Sequence, residues 1–148
     1  LGILLGGIVT TRLGRVRALV LGSLLIIGSN LAYALFATLG RPSIGGLALN
    51  ISLDNVAIGV HGTALIAFLS SLTSASYTAT QYAVLSSIYA LPGKLLMGTS
   101  GMVVDHIGYP AFFVYTAALS LPALLLLWLV WRGGGAALLG PAPGPRAA

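Results

Sequence analysis

The chain has 148 residues, of which 57% are hydrophobic and only 6% are charged. Soluble domains carry about 25% charged residues, so this composition excludes a water-soluble globular protein and indicates an integral membrane protein. Seven Lys and Arg against two Asp and Glu give a net charge of +5. Nucleic-acid binding would explain such a charge, but the arginines stand at the ends of apolar segments, where membrane proteins place them. No cysteine is present, which excludes disulfides and thiolate chemistry.

Apolar segments of membrane length follow one another along the chain. A spanning helix needs about 20 apolar residues, and the pattern predicts an all-α membrane protein with four transmembrane helices after a truncated first one. The helices are expected at about 1–11, 18–39, 47–72, 78–104 and 110–131. The chain starts without Met on a segment of about half a span, so it is expected to be part of a longer protein. The Gly/Pro-rich tail, 133–148, is predicted to be disordered and cytoplasmic.

Polar or helix-breaking residues mark the connections between these helices. A basic segment surrounds Gly14, a Gly/Pro turn occupies 40–46 and a Ser/Thr turn occupies 70–77. The last connection is expected at 105–109, and the final helix is expected to kink at Pro122.

The arginines predict the orientation in the membrane. Arg12, Arg15 and Arg17 are placed in the cytoplasm, because short cytoplasmic loops carry an excess of basic residues. If each helix then crosses once, Arg132 also lies inside and Arg41 lies outside. The basic residues would therefore lie mostly on one side of a multi-pass protein.

Three polar side chains share one face of the third expected helix. At about 100° per residue, Asn50, Asp54 and His61 fall within a stripe about 40° wide. Ionisable groups at bilayer depth are costly and commonly functional, so Asp54 and His61 are candidates for a substrate or proton pathway. The alternative is that Asp54 hydrogen-bonds to a neighbouring helix and that His61 is a satisfied core residue.

Lys94 lies near the middle of the fourth expected helix, directly after Pro92 and Gly93, which are expected to kink it. A lysine at this depth reaches the headgroups poorly, which favours a functional role over snorkelling. Small and polar residues share its helix face, namely Thr80, Ala83, Ser87, Gly98 and Gly101. Asp54 and Lys94 are expected either to pair or to bind a charged solute together, with proton coupling.

Patterns of catalytic residues are missing from the sequence. There is no acidic pair within one segment, no GxSxG, no HExxH and no Walker A motif. No enzymatic activity, cofactor or metal site is therefore predicted.

Two stretches resemble known transporters. GGIVTTRLGRVRAL resembles the loop motif of the major facilitator superfamily, in which a glycine-led helix end is followed by an acidic residue and Arg-x-Gly-Arg. Thr11 stands at the acidic position, as in a second-half copy of the motif. The residues that match this cytoplasmic loop motif are Gly7, Arg12, Gly14, Arg15 and Arg17.

The stretch from Asp54 to Leu96 is similar to the tenth and eleventh helices of AmpG-like muropeptide permeases. The family pattern there is an acidic residue with Asn, a GTA segment, an apolar helix, ATQ-A-LSS and a basic residue after a helix-breaking pair. His61 stands where the family commonly has an apolar residue, and Lys94 where it commonly has arginine. The matching residues are Asp54, Asn55, Gly62, Thr63, Ala64, Ala79, Thr80, Gln81 and Lys94.

This resemblance implies the end of helix eight and helices nine to twelve of a twelve-helix transporter, within its C-terminal six-helix bundle. It also implies proton-coupled import of anionic glycopeptides, the GlcNAc-anhydromuramyl peptides, across the bacterial inner membrane for peptidoglycan recycling. The partners would be this substrate, protons, the lipid bilayer and the absent N-terminal helices. Two alternatives stay open: another major facilitator carrier, for acyl-CoA, sugars or drugs, and a membrane remnant that does not transport. The expected pathway residues are Asp54, Asn55, His61, Gln81, Ser87 and Lys94.

Overall fold

The computed structural model describes residues 2–39, 43–73 and 78–132, which form helices and no strand. The tail at 133–148, which is predicted to be disordered, and parts of the Gly/Pro and Ser/Thr turns lie outside these ranges. The prediction of an all-α membrane protein is confirmed. The elements are α1 (Gly2–Leu13), α2 (Arg15–Leu39), α3 (Ile44–Ser71), α4 (Thr78–Leu119) and α5 (Leu121–Arg132).

A break at Gly108 divides α4 into two parts. The backbone there has φ 75° and ψ 164°, outside the helical region. The apolar stretch that contains it, 79–129, has 51 residues. At 1.5 Å per residue it would be roughly 76 Å long, more than twice the roughly 30 Å of a bilayer core. The break therefore separates two membrane-length parts, 78–107 and 109–132, which with α2 and α3 make four spans.

The break also allows a prediction about stability. Residues with a side chain rarely adopt positive φ, so Gly108→Ala is expected to lower the free energy of unfolding by about 1–2 kcal/mol. The new Cβ would meet only Pro110 Cδ, at 3.8 Å, so the cost is conformational. Gly101→Ala is the control, because a Cβ there meets nothing within 4 Å. Thermal unfolding in detergent, followed by circular dichroism, measures both variants. Equal unfolding midpoints for Gly108→Ala and Gly101→Ala would contradict the positive φ at Gly108.

The basic segment after α1 is more compact than the predicted loop. Gly14, with φ 86°, is the single residue between α1 and α2. Arg12 therefore belongs to the last turn of α1, and Arg15 and Arg17 belong to the first turn of α2. The expected short basic loop is corrected to a single residue, because one glycine in the left-handed conformation is enough to end one helix and start the next. Gly7 lies in α1, with open space where a side chain would be.

The start of α3 also differs from the expected Leu47. The side chain of Ser43 accepts a hydrogen bond from the backbone N–H of Gly46 at 3.1 Å. This N-cap satisfies a backbone donor of the first turn. Gly46 is therefore helical rather than part of the Gly/Pro turn.

The last part of the chain is interrupted at Ser120 instead of Pro122. Ser120 is a turn residue between α4 and α5, and its N–H donates to the Ala117 carbonyl at 3.1 Å. Pro122 then falls in the first turn of α5, where its missing N–H removes no helical hydrogen bond.

The central helix of the described bundle is α2. It runs antiparallel to α3 on one side and antiparallel to 109–132 on the other, where Tyr33 stacks on Phe113 with ring centroids 5.1 Å apart. The other side of α3 packs against α1, which runs parallel to it. The residues 79–107 are mostly exposed. A small buried core of Ala18, Leu19 and Ala64 is completed by partly buried neighbours that include Leu127.

The described arginines collect at one end of this bundle. Leu127 packs against the core near the start of α2, so the end of α5 lies beside the short connection between α1 and α2. At that end Arg132 lies over the ring of Trp128, 4.5 Å from the centroid. This contact pairs a cation with an indole ring near the end of an apolar helix, where membrane proteins commonly place both groups.

Candidate functional site

A row of polar side chains joins α2 to α3 inside the bundle. Ser29 Oγ lies 2.5 Å from Asp54 Oδ1, and Asn50 Nδ2 donates to the Ser29 carbonyl at 3.3 Å. Two turns away, Ser23 Oγ and His61 Nδ1 share a hydrogen bond of 3.2 Å. We call these five residues the α2–α3 polar layer. The stripe expected on α3 therefore exists, and its three side chains meet polar partners on α2.

Close approach of the two helices at Gly22 makes this polar layer possible. A Cβ on Gly22 would lie 2.7 Å from His61 Cα and 2.8 Å from His61 N. Only backbone could move to relieve such a contact, so glycine is required. Gly22 was not identifiable as a contact from the sequence, where it is one of several interruptions of an apolar segment.

The other packed side of α3 meets α1 through glycines. A Cβ on Gly59 would lie 2.7 Å from Gly2 Cα, and a Cβ on Gly6 would lie 2.7 Å from the Gly59 oxygen. Asn55 lies on this side, since its backbone oxygen would be 2.6 Å from a Cβ on Gly2. The side chain of Asn55 is exposed and donates from Nδ2 to the Ile51 carbonyl of its own helix at 2.8 Å, whereas the side chain of Asp54 meets α2.

Lys94 lies on the exposed part of α4. Its side chain is exposed, and the backbone at Pro92 keeps helical dihedral angles, so the proline does not break the helix. Ser87 shares the face of Lys94 because the two are seven residues apart, and its hydroxyl donates to the Ala83 carbonyl at 2.8 Å. Gln81 stands about 140° around the helix from Lys94 and roughly 20 Å away along the axis. The three predicted pathway residues on α4 therefore do not converge on one point.

Asp54 and Lys94 are not paired in the part of the chain that the structure describes. Asp54 is half-buried against Ser29, whereas Lys94 is exposed. The acid belongs to the interior of the bundle and the cation to its surface. This separation leaves Lys94 available to other anions.

Two contributors to the site are not identifiable from spacing alone. Ser29 supplies both the hydroxyl beside Asp54 and the carbonyl for Asn50. Thr116 Oγ1 lies 3.2 Å from Asn30 Oδ1 and donates to it, which ties 109–119 to α2. The one sequence signal was the presence of polar residues in an otherwise apolar α2, where interhelical hydrogen bonds are the usual explanation.

Curated relatives match most of this chain. It is 35% identical over 124 residues to "Putative transporter AmpG 4" of Rickettsia conorii, which covers 82% of the chain and 29% of that protein. It is 31% identical over 127 residues to "Putative transporter AmpG 1" of Rickettsia prowazekii, or 86% of the chain and 28% of the relative. For "Anhydromuropeptide permease" of Escherichia coli K12 the identity is 32% over 127 residues, or 85% and 26%. The chain spans less than a third of the length of these relatives.

No family model and no solved structure matches the chain significantly. The relatives above are named as transporters or permeases. Within the described ranges, three apolar helical stretches are long enough to cross a membrane, and the third contains the break at Gly108. These matches confirm the family predicted from the residues between Asp54 and Lys94. The chain therefore belongs to the AmpG-like permeases, which makes it a multi-pass membrane protein.

Proposed function

We propose that this chain is part of a transporter that carries muropeptides across the bacterial inner membrane. The observation that carries the proposal is the exposed Lys94 near the middle of a membrane-length helix, without a carboxylate partner among the described residues. A cation in apolar surroundings attracts anions strongly. Muropeptides bear carboxylate groups, and relatives of this chain include a protein named as an anhydromuropeptide permease.

The pathway residues have different roles in this proposal. Lys94 binds a carboxylate of the substrate, and Ser87 offers a hydroxyl on the same face. Gln81 contacts the substrate nearer the start of α4. Asp54 carries the proton that couples transport, and His61 holds α3 against α2 through Ser23. The exposed side chain of Asn55 is available to the substrate.

Further helices of the same transporter would complete the pathway. The relatives are more than three times as long as the region they share with this chain. Residues 78–107 present large apolar side chains at the surface, among them Ile88, Leu95 and Met97. Helices of the remaining length, packed beside this face, would place Lys94 between two halves of the protein, where transporters of this type bind substrate. Import of cell-wall fragments by this route would serve peptidoglycan recycling.

Uptake into membrane vesicles tests this function. Vesicles that contain the complete transporter of which this chain is a part are expected to accumulate labelled anhydromuropeptide, and only unlabelled muropeptide should compete with it. Sugars, acyl-CoA and drugs are the matched competitors, because other major facilitator carriers would take them. Vesicles without the protein give the background.

Each other outcome of this assay has a defined meaning. Uptake of a sugar, an acyl-CoA or a drug instead would assign the chain to a different carrier. Uptake of none of them would favour a membrane remnant. A protonophore added at constant substrate is expected to abolish accumulation, and unchanged accumulation would overturn proton coupling alone.

A further inference from the structure

We infer that one end of this bundle binds an anionic phospholipid, whose phosphate is held by arginines and whose acyl chains lie along exposed leucines. The arginines are Arg12, Arg17 and Arg132, and we call the surface that they form the arginine end. The inference is independent of the solute that the transporter carries, because it concerns the contact of this surface with lipid.

A connection of one residue brings the first two arginines together. Arg12 lies in the last turn of α1 and Arg17 in the first turn of α2, and Gly14 alone separates the two helices. Gly14, with φ 86°, ends α1 and starts α2 without a loop that could carry these side chains apart. Both side chains are exposed, while Arg15 between them is partly buried and adds a further positive charge.

The third arginine reaches the same end through the last span. Leu127 packs against the buried core that contains Ala18, the residue after Arg17. Arg132 comes five residues after Leu127, roughly 7.5 Å further along the helix axis. Its guanidinium group lies over the Trp128 ring, 4.5 Å from the centroid, and the side chain is exposed. Because guanidinium groups bind phosphate through paired N–H donors, the arginine end suits a phosphate group.

The carboxylates of the chain lie far from the arginine end. The sequence holds two acidic residues, Asp54 and Asp105. Asp54 is hydrogen-bonded to Ser29, which lies roughly 18 Å beyond Arg17 along α2. Asp105 comes before the start of the span that finishes at Arg132, so it lies at the other end of that span. The positive charge of the arginine end is therefore not neutralised by these acids.

A threonine stands where the loop motif of the major facilitator superfamily has its acid. Thr11 Oγ1 lies 3.0 Å from the Gly7 oxygen and 2.9 Å from the Ile8 oxygen, both in α1. The hydroxyl is bonded to its own helix and supplies no negative charge. An external anion would therefore meet Arg12 and Arg17 without competition from a carboxylate of the described ranges.

Exposed leucines continue the faces of two of these arginines into the membrane. Leu21 and Leu24 follow Arg17 by four and seven residues, so they share its face of α2. On α5, Leu125 precedes Arg132 by seven residues and is also exposed. An anion that carries acyl chains satisfies the arginines and covers the leucines together. A free phosphate ion would leave the leucines uncovered.

The leucine face of α2 lies beside the last span. Further along this face, Leu31 and Leu35 are again exposed and stand 14 and 18 residues after Arg17. They line an apolar groove of about 610 Å³ together with Pro110 and Val114. Acyl chains on this face would therefore contact both α2 and the last span.

Quenching of Trp128 by brominated phospholipids tests this inference. The complete transporter of which this chain is a part is placed in phosphatidylcholine bilayers. Phosphatidylglycerol or phosphatidylcholine with brominated acyl chains is then titrated in, and subtraction of the Trp128→Phe variant isolates the fluorescence of Trp128. Brominated phosphatidylglycerol is expected to give half-maximal quenching at a share of the lipid at least about fivefold lower, because each arginine near an anionic surface favours it by about that factor.

Arginine variants measure the contribution of each side chain. Arg17→Gln and Arg132→Gln are each expected to reduce the preference for phosphatidylglycerol by about fivefold. Arg17→Lys should retain most of the preference, because the charge remains although the paired donors are lost. Arg41→Gln is the control, since Arg41 follows the other end of α2 in the sequence and its replacement removes the same charge.

Three results would overturn the inference. Equal quenching of the unmodified protein by the two brominated lipids would mean that the arginine end does not select an anionic lipid. An equal loss of preference in Arg41→Gln would make it a property of net charge alone. Recovery of Trp128 fluorescence on addition of inorganic phosphate, at constant ionic strength, would assign the arginines to a free anion.

Discussion

Lys94→Ala is expected to reduce muropeptide uptake by roughly 10- to 150-fold. Removal of a hydrogen bond to a charged group costs about 1.5–3 kcal/mol, and each 1.4 kcal/mol is about tenfold in affinity. Lys94 is exposed and unpaired with Asp54, so the substitution removes no contact that holds the described bundle together. Initial uptake rates at low substrate concentration measure the effect, and Lys94→Arg is expected to retain part of the activity because it keeps the positive charge.

Leu95→Ala provides the matched control for this result. Leu95 lies at the same depth, is 65% exposed, and points about 100° away from Lys94 around the helix. Its truncation removes apolar contact but no charge, so at equal amounts of folded protein uptake should fall far less than in Lys94→Ala. Normal uptake by Lys94→Ala, at normal protein level, would remove Lys94 from the mechanism.

Gly22→Ala is expected to lower the free energy of unfolding by about 1–3 kcal/mol, the usual cost of overpacking. Its Cβ would lie 2.7 Å from His61 Cα, so α2 and α3 would have to separate. The separation would also weaken the hydrogen bonds of Ser23 and Ser29 to α3. Thermal unfolding in detergent, followed by circular dichroism, measures the effect.

Gly28→Ala distinguishes this effect from an ordinary helix preference. Gly28 belongs to the same helix, and a Cβ there meets nothing within 4 Å. Alanine is favoured over glycine inside a helix by about 1 kcal/mol, so Gly28→Ala should be neutral or stabilising. If Gly22→Ala stabilised the protein as much as Gly28→Ala, the close contact between α2 and α3 at Gly22 would be contradicted.

The candidate site was predictable in part. Helical periodicity placed Asn50, Asp54 and His61 on one stripe, and the structure has them on one side of α3. Periodicity defines the angle of a face but not the helix that faces it. Ser23 and Ser29 come from α2, so Asp54 makes the hydrogen bond to a neighbouring helix that was considered as the alternative to a functional role. Its role in a transport pathway stays a prediction.

Helix ends were harder to predict than helix interiors. Two helix ends differ from the prediction for local reasons. Ser43 caps the start of α3, and Gly14 ends α1 in the left-handed conformation. These devices depend on one residue and its backbone conformation, whereas a span depends on the sum of about 20 residues. The break at Gly108 is of the same kind, since only its dihedral angles separate the last two spans.

The sequence alone determined the class of this protein, its membrane-length helices and its likeness to AmpG-like permeases. Those properties follow from composition and from residues read one segment at a time. Tertiary structure decided which polar residues meet, because contacts such as Ser29 with Asp54 join residues of separate helices that approach only where Gly22 leaves room. It also decided that Lys94 stays apart from Asp54, since the acid is enclosed by α2 and the lysine lies on a part of α4 that is mostly exposed.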